Sequence, residues 1–181
     1  MTSTAQEPYR LGYVGLGNLG TEICKNLGRH ASSQNLTPLS LYNRTSAKYS
    51  AVSDECPGAH FAEEVAEVVQ RSNVVFTCLL DDAAAEEVYG KIFKAVKRED
   101  KVVFVDQSTL TPTRARRLES QAREAGAIYL SCPVFGNPPV AKAAQLVLVV
   151  SGAEEGRSRL KPLLVPAIGR SIIDVGEDVG K

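Results

Sequence analysis

The stretch Arg10-Leu-Gly-Tyr-Val-Gly-Leu-Gly-Asn-Leu-Gly20 decides the fold of this chain. It places Gly15, Gly17 and Gly20 in a G-x-G-x-x-G array between a short apolar strand and an amphipathic helical pattern. In that setting Gly15 permits the tight turn, Gly17 lets the backbone approach a pyrophosphate, and Gly20 lets the helix pack closely on the strand. The helix N-terminus offers unpaired N–H groups and a positive dipole end to phosphates. A glycine turn without a ligand is the alternative, but the flanking strand and helix favour a dinucleotide-binding site.

The end of the next apolar run indicates which dinucleotide is bound. The run Pro38-Leu-Ser-Leu-Tyr42 reads as a strand that stops at Asn43-Arg44-Thr45. An NAD site usually has Asp or Glu here, because a carboxylate accepts hydrogen bonds from the ribose hydroxyls and repels a 2′-phosphate. Here Asn43 replaces the acid, Arg44 supplies a planar guanidinium suited to phosphate, and Thr45 adds a hydroxyl that could also cap the next helix. The pattern favours NADP(H) over the alternative, a surface arginine followed by a capping threonine.

Length and composition are typical of a globular protein with one domain. The 181 residues are enough for one substantial core. With 44% hydrophobic residues, 23% charged residues and a formal net charge of zero, there is no electrostatic case for binding nucleic acid or an anionic membrane. No apolar run approaches membrane-spanning length. Residues 1–8 predict a disordered tail and not a signal or transit peptide, so we expect a cytoplasmic protein.

The cysteines and histidines indicate no metal site. The chain has four cysteines, which are Cys24, Cys56, Cys78 and Cys132. They lie far apart without a C-x-x-C pair, which predicts buried, reduced thiols in an intracellular protein. His30 and His60 fall outside any ligand spacing, so we expect no structural zinc.

Apolar runs and helical patterns alternate along the chain, which predicts an α/β fold with a Rossmann-type, doubly wound and mostly parallel sheet. The predicted strands are Arg10–Gly15, Leu39–Tyr42, Asn73–Leu79, Val102–Asp106, Ile128–Cys132, Leu146–Val150 and Ser171–Val175, with a weak extra strand near His60. The predicted helices are Leu19–Arg29, Ser46–Ser53, Ala62–Arg71, Ala83–Lys97, Pro112–Ala125 and Gly156–Leu164.

Three segments at the carboxyl ends of predicted strands carry polar or turn-forming residues, at the edge where ligands of open α/β sheets bind. In Thr77-Cys-Leu-Leu-Asp-Asp82, Asp82 is expected to cap the following helix. In Asp106-Gln-Ser-Thr-Leu-Thr-Pro112, the hydroxyls of Ser108 and Thr109 are placed to bind the nicotinamide ribose or to cap the helix that begins at Pro112. In Cys132-Pro-Val-Phe-Gly-Asn-Pro-Pro139, a glycine lies in a proline-rich turn.

These motifs, in this order and at these spacings, resemble the N-terminal domain of the β-hydroxyacid dehydrogenases. That group includes 3-hydroxyisobutyrate dehydrogenase, tartronate semialdehyde reductase and, more distantly, 6-phosphogluconate dehydrogenase. Gly15-Leu-Gly-Asn-Leu-Gly20 is similar to the family's G-L-G-x-M-G, and Asn43-Arg44-Thr45 is similar to its NADP-preferring form. Asp106-Gln-Ser-Thr-Leu-Thr-Pro112 matches its D-x-S-T-x-x-P, and Cys132-Pro-Val-Phe-Gly-Asn137 lies where the family has A-P-V-S-G-G.

The motifs and the resemblance together imply a set of binding residues. The cofactor-binding residues are expected to be Gly15, Leu16, Gly17, Asn18, Leu19, Gly20, Asn43, Arg44, Thr45, Cys78, Leu79, Leu80 and Thr109. The substrate-binding residues are expected to be Ser108, Phe135, Gly136 and Asn137.

Two departures from the family pattern bear on function. The family's S-G-G turn, which binds a substrate carboxylate, reads Phe135-Gly136-Asn137 here, so a substrate larger or less polar than a small hydroxy acid is expected. In the family a catalytic Lys follows a Gly-rich joint and begins an interdomain helix. The segment 176–181 resembles that joint, but Lys181 directly follows its last glycine and comes too early to be that Lys. We therefore expect residues 9–175 to form the dinucleotide-binding domain, with the Lys and a helical C-terminal domain beyond Lys181.

The resemblance implies an NADP(H)-dependent oxidoreductase that transfers a hydride to or from a hydroxy acid or carbonyl-type substrate. One alternative is a non-catalytic NADP-binding sensor or scaffold, and another is an imine-reductase-like enzyme, which Phe135 favours. The surface that receives the helical domain is expected to expose apolar side chains near Phe135, Val140 and the chain end. The family resemblance also implies a homodimer only for the full-length protein.

Overall fold

A computed structural model describes residues 7–181, and the sheet extends through most of this range. The predicted tail, residues 1–8, lies mostly outside the described residues. The strands are β1 (Leu11–Val14), β2 (Ser40–Tyr42), β3 (His60–Phe61), β4 (Val74–Thr77), β5 (Val103–Asp106), β6 (Ile128–Ser131), β7 (Val134–Phe135), β8 (Leu146–Gly152) and β9 (Gly169–Gly176). The helices are α1 (Asn18–Ser33), α2 (Val65–Arg71), α3 (Asp82–Ala95), α4 (Pro112–Ala125), α5 (Pro138–Lys142) and α6 (Glu154–Ala167).

The sheet has the doubly wound order that the alternating pattern predicts. Strands β3, β2, β1, β4, β5 and β6 lie side by side in that order and run parallel. The chain moves outward from β1 to β3, crosses back to β4 on the other side of β1, and then continues outward to β6. The order therefore reverses between β1 and β4, and in such sheets ligands bind at the carboxyl ends of the two strands that flank the reversal.

Both faces of the sheet are covered, which explains why the central strands read as continuous apolar runs. In β4, Val74 and Phe76 belong to the core formed with α1 and α6, whereas Val75 points to the other core, formed with α2, α3 and α4. Residues of β5 alternate in the same way. Of the cysteines, Cys24, Cys56 and Cys132 are buried as free thiols and Cys78 is half-buried, as expected.

The C-terminal part of the sheet departs from the parallel pattern. Strand β8 runs antiparallel to both β6 and β7, and β9 runs parallel to β8. The pairs Ser131–Ser151 and Val134–Leu148 have the same register, so β7 continues the path of β6 after a break at Pro133. The segment 132–139, interpreted from the sequence as a proline-rich turn, also contains β7 and the start of α5.

Several local predictions are corrected by the structure. The region predicted as a helix at Ser46–Ser53 is a 3-10 helix over Ser46–Ala51, and Thr45 makes no side-chain capping bond to it. Asp81, and not Asp82, caps α3 by accepting from the Ala84 N–H at 2.8 Å. Asp82 instead accepts bonds from the N–H and hydroxyl of Thr111.

The N-cap of α4 is also a different residue from those suggested by the sequence. Thr111, and not Ser108 or Thr109, caps this helix by accepting from the Arg114 N–H. Pro112 lies in the first turn as predicted, and Gly126 ends the helix with φ of 84°. None of the helices in the described part of the chain is long and apolar enough to cross a membrane.

A buried arginine joins α6 to the two final strands. Arg157 is 6% exposed, and its Nε donates to the Gly152 carbonyl at the end of β8 at 2.8 Å. Its guanidinium also pairs with Asp174 on β9 and with Glu154. Lys161 contacts the same Asp174 at 3.1 Å, but its side chain is half-exposed.

We expect Arg157→Met to lower the free energy of unfolding by about 2–3 kcal/mol, because the buried Gly152 carbonyl and the Asp174 carboxylate lose charge-assisted hydrogen bonds. Lys161→Met is the matched control and should cost less than about 1 kcal/mol, because exposed ion pairs contribute little. Urea denaturation measures both values. Equal losses for the two variants would contradict the role of Arg157 as the link between α6 and the final strands.

Candidate dinucleotide-binding site

The candidate site lies at the carboxyl ends of β1, β4 and β5, where the strand order reverses. The last paired residues of these strands are Val14, Thr77 and Asp106, which lie at the same level of the sheet. The loops that follow them contain the glycine array, the segment 78–81 and the segment 107–111. These three loops therefore meet at one edge of the sheet, as the strand endings predict.

The glycine loop, α1 and the end of β4 approach each other so closely that two positions exclude any side chain. Gly15 has φ of +100°, and a Cβ at this position would lie 2.3 Å from the carbonyl oxygen of Cys78. A Cβ on Gly20 would lie 2.2 Å from the carbonyl oxygen of Gly15. These contacts fix the first turn of α1 against the ends of β1 and β4, as proposed for the first and third glycines of the array.

Gly17 has a different environment, and it is the one that fits a phosphate. It is exposed, its φ is −71°, and a Cβ at this position would meet nothing within 4 Å. Gly17 is the N-cap of α1 but supplies no side-chain cap, and the first turn has no acidic residue. Gly17 and Asn18 are both exposed and lie at the positive end of the helix dipole. This arrangement fits the pyrophosphate of a dinucleotide.

Asn43 connects the end of β2 to the glycine loop. Its Oδ1 accepts from the Leu16 N–H at 2.8 Å, and its Nδ2 donates to the Thr45 carbonyl at 2.9 Å. Arg44 and Thr45 are exposed beside it. Within residues 7–181, the Arg44 guanidinium forms no ion pair. An exposed arginine without an ion pair, close to the glycine loop, can bind an anionic group of the ligand.

Ser108 joins the loops after β4 and β5. Its hydroxyl accepts from the Leu79 N–H at 2.8 Å, and its own N–H donates to Asp106 at 3.0 Å. Ser108 is 6% exposed, whereas Thr109 and Leu80 are exposed at the surface of the site. The structure thus brings Leu79 and Ser108 together, and it leaves the Thr109 hydroxyl accessible to a ligand.

A buried polar network beneath these loops was missed by the sequence reasoning. The carboxylate of Asp106 is 1% exposed and accepts from the Thr77 hydroxyl at 3.0 Å and the Tyr129 hydroxyl at 2.9 Å, in addition to the Ser108 N–H. Because Thr77 donates to Asp106, Tyr89 donates its hydroxyl to Thr77 at 2.8 Å. Polar residues at the ends of two neighbouring buried strands, Thr77 and Asp106, were the signal that could have indicated the network.

Burial and hydrogen bonding have opposite effects on the pKa of Asp106, and the effect of burial is the larger. Burial raises the pKa of this carboxyl, and the hydrogen bonds from Ser108, Tyr129 and Thr77 act to lower it. Burial also raises the pKa of the Tyr89 and Tyr129 hydroxyls well above their ordinary value, so both remain protonated donors. The network is therefore a set of fixed donors around one carboxylate, which holds the loop after β5 at a defined position.

The predicted substrate residues lie beyond the same edge of the sheet. Because β7 continues β6, Phe135 lies four residues past Ser131, which is about 13 Å at the rise of a strand. Phe135 is 67% exposed, Gly136 has φ of +147°, and Asn137 caps α5 by accepting from the Val140 N–H at 3.2 Å.

The expected apolar surface is present only in part. Phe135 and Leu80, which is 90% exposed, are accessible, but Val140 is half-buried against the core. At the chain end, Val179 is 2% exposed, so the expectation of an exposed apolar chain end was wrong. The reason is that residues 177–181 fold back on α4, where Arg116 donates to both oxygens of Asp178 at 3.0 and 2.9 Å.

A second concave region lies away from this site. A cavity of about 420 Å³ is lined by the C-terminal half of α1 and by α5 and the end of α6, including Asn26, His30 and Lys142. None of the sequence motifs falls in it. It lies at the end of α1 opposite to the glycine loop, where the helix dipole is negative.

The fold and the site together define a Rossmann-type dinucleotide-binding domain. Residues 10–176 match the family described as the NAD binding domain of 6-phosphogluconate dehydrogenase, and the chain belongs to that family. This match confirms the resemblance to the N-terminal domain of the β-hydroxyacid dehydrogenases. It also supports a pyridine nucleotide as the cofactor.

Relatives of known activity include several kinds of oxidoreductase. The chain is 32% identical over 146 residues to an NADH-dependent oxidoreductase of Aspergillus ustus, covering 81% of this chain and 50% of the relative. A solved 3-hydroxyisobutyrate dehydrogenase of Mycobacterium tuberculosis is 26% identical, with a TM-score of 0.84 over 96% of this chain and 56% of that one. A reductive aminase of Aspergillus terreus, solved with NADPH, is 26% identical, with a TM-score of 0.78 over 97% of this chain and 57% of that one. The chain spans about half the length of the curated relatives it matches.

The different environments of Gly17 and Gly20 allow a direct test of the site. Gly17→Ala should abolish binding of both pyridine nucleotides, because the methyl occupies the phosphate position, and should leave the Tm nearly unchanged, because its Cβ meets no protein atom. Gly20→Ala should lower the Tm by several degrees, because its Cβ collides with the Gly15 carbonyl. Fluorescence titration and thermal denaturation measure these effects. Normal NADPH binding by Gly17→Ala would show that this loop does not hold the phosphates.

Proposed function

We propose that this domain binds NADP(H) and that the complete protein transfers a hydride between the nicotinamide and a hydroxy acid or carbonyl-type substrate. The observation that carries the proposal is the open N-terminus of α1 at Gly17, which has no side-chain cap, beside the exposed Arg44. The nicotinamide, when bound, supplies the hydride, and the protein supplies position and electrostatic stabilisation. The proposal concerns the complete protein because its relatives are about twice as long as this chain.

The loops of the site have separate roles in this proposal. The segment from Gly15 to Gly20 holds the pyrophosphate, and the segment from Asn43 to Thr45 holds the adenosine ribose and its 2′-phosphate. Cys78, Leu79 and Leu80 lie against the nicotinamide side, together with Thr109. The substrate pocket is formed by Ser108, Phe135, Gly136 and Asn137.

The choice of NADP(H) over NAD(H) rests on Arg44 and on the absence of an acid at position 43. An aspartate at the end of β2 would repel a 2′-phosphate, whereas Asn43 is neutral and has both of its polar groups engaged with the backbone. The relatives differ in cofactor, since one is named NADH-dependent and another was solved with NADPH. The proposed preference for NADP(H) therefore rests on the residues of this chain alone.

The proposed substrate class rests on Phe135. In the family pattern a serine at this position offers a hydroxyl to the substrate carboxylate, and here a phenyl ring that is 67% exposed takes its place. The ring removes a donor and adds apolar area, which favours a larger or less polar carbonyl compound. An imine is the second candidate, because the same apolar wall suits an uncharged C=N group and because a reductive aminase is among the similar structures.

The residues of this chain position the cofactor and one wall of the substrate pocket. Ser108 holds the loop after β4 through the Leu79 N–H, and Asp106 holds Ser108 in turn. We propose that the group that protonates the carbonyl oxygen is the family Lys beyond Lys181, on a helical domain that the segment 176–181 joins to this one. A cytoplasmic location, and dimerisation through that helical domain, are further parts of the proposal.

Cofactor preference can be measured on the chain itself. NADPH should bind more tightly than NADH by about 1–3 kcal/mol, which is the range for charge-assisted hydrogen bonds to a phosphate. Arg44→Ala should remove most of this difference and leave the Kd for NADH nearly unchanged. Arg170→Ala, which removes an exposed arginine on β9, is the control and should change neither affinity. Equal affinities for the two cofactors in the parent chain would refute the NADP(H) assignment.

Catalysis should require more than this domain. The 181-residue chain should bind NADPH but reduce no aldehyde, keto acid or imine above background, because the proton donor and the closed pocket need the second domain. Absorbance at the NADPH band, with binding measured on the same preparation, gives both readouts. Robust turnover by this chain would overturn the proposal and would direct the search for a proton donor to Ser108, Thr109 and Asn137.

A further inference from the structure

The turn that carries Arg44 is held by a tyrosine that belongs to none of the sequence motifs. The Tyr49 hydroxyl accepts from the Asn43 N–H at 3.1 Å and donates to the Ala62 carbonyl at 2.8 Å. Its ring is half-buried and packs against Phe61, with the ring centroids 4.8 Å apart. Tyr49 thus connects the backbone at the end of β2 to the residue that follows β3.

Asn43 extends this connection to the phosphate-binding loop. Its side chain accepts from the Leu16 N–H and donates to the Thr45 carbonyl, which also accepts from the Lys48 N–H at 3.1 Å. The backbone on both sides of Arg44 is therefore restrained, by Tyr49 at Asn43 and by the Asn43 amide at Thr45. An aspartate at position 43 could accept from Leu16 but could not donate to Thr45.

Such restraint matters because the Arg44 guanidinium is not held in an ion pair within the described residues. Its long side chain is exposed and pairs with no acid in residues 7–181, so its direction depends on the backbone from which it extends. Ordering an arginine on a phosphate costs side-chain entropy, and a fixed backbone reduces that cost. The Tyr49 hydroxyl donates its one proton to the Ala62 carbonyl, so it cannot also donate to the 2′-phosphate.

We propose that Tyr49 is a positioning residue for recognition of the cofactor 2′-phosphate, acting through the backbone of Asn43 on Arg44. The inference rests on the proposed NADP(H) function and adds to it a determinant of cofactor preference that does not touch the cofactor. It implies that a change at Tyr49 affects NADPH and leaves NADH almost unaffected, because only NADPH carries the group that Arg44 binds.

The first test is Tyr49→Phe, which keeps the ring against Phe61 and removes only the hydroxyl. The Kd for NADPH should rise by about three- to tenfold, because the hydrogen bond that holds the Asn43 backbone is lost, while the Kd for NADH changes less than about twofold. Tyr9→Phe is the control, since it also removes a hydroxyl that donates to a backbone carbonyl, that of Arg159 at 2.7 Å, outside the candidate site. The control should leave both affinities unchanged. Equal weakening of NADPH and NADH in Tyr49→Phe would overturn the proposal.

The second test is a double-mutant cycle with Arg44→Ala. If Tyr49 acts through Arg44, then Tyr49→Phe should have no further effect on NADPH affinity when Arg44 is absent. Additive effects would show that Tyr49 acts by another route and would overturn the positioning role. If Arg44→Ala alone leaves NADPH affinity unchanged, the NADP(H) assignment fails. If Arg44→Ala weakens NADPH binding but Tyr49→Phe does not, only the role of Tyr49 fails.

Discussion

The whole site depends on one steric constraint, the backbone contact between the glycine loop, the first turn of α1 and the end of β4. The carbonyl oxygens of Cys78 and Gly15 lie where side chains at Gly15 and Gly20 would otherwise be. This contact sets the N-terminus of α1 directly at the reversal of strand order. The open space at Gly17 lies at this edge of the sheet because of that placement, where ligands of such folds bind.

A second constraint is electrostatic, and it comes from the buried network around Asp106 beneath the loops of the site. Asp106 is a buried carboxylate surrounded by hydroxyl and N–H donors, and each of these donors comes from a different place in the sheet or the loop above it. Removing the carboxylate would leave three buried donors without an acceptor, which costs more than the loss of one surface pair. The network therefore joins β4, β5 and β6 where the loops that follow them meet at the candidate site.

Much of this architecture can be predicted from the sequence, and the failures have physical reasons. The glycine array, the apolar strands and the start of α4 at Pro112 are local patterns, and they predict the parallel part of the sheet. Strand β7 has two residues after Pro133 and is too short to show a periodicity, so its pairing with β8 is not visible in the sequence. The adjacent acids Asp81 and Asp82 are both plausible caps of α3, and only the backbone geometry selects Asp81. Tyr49 was missed because its partners are defined by tertiary structure, not by spacing.

An amide NMR titration of this 19.5 kDa chain with NADP+ tests the location of the cofactor site. We expect the perturbed amides to cluster at residues 15–20, 43–45, 78–80 and 108–109. The cavity at the opposite end of α1, represented by Asn26, His30 and Lys142, should be unaffected. Perturbations centred on that cavity, with the glycine loop unchanged, would show that the cofactor does not bind at the reversal of strand order.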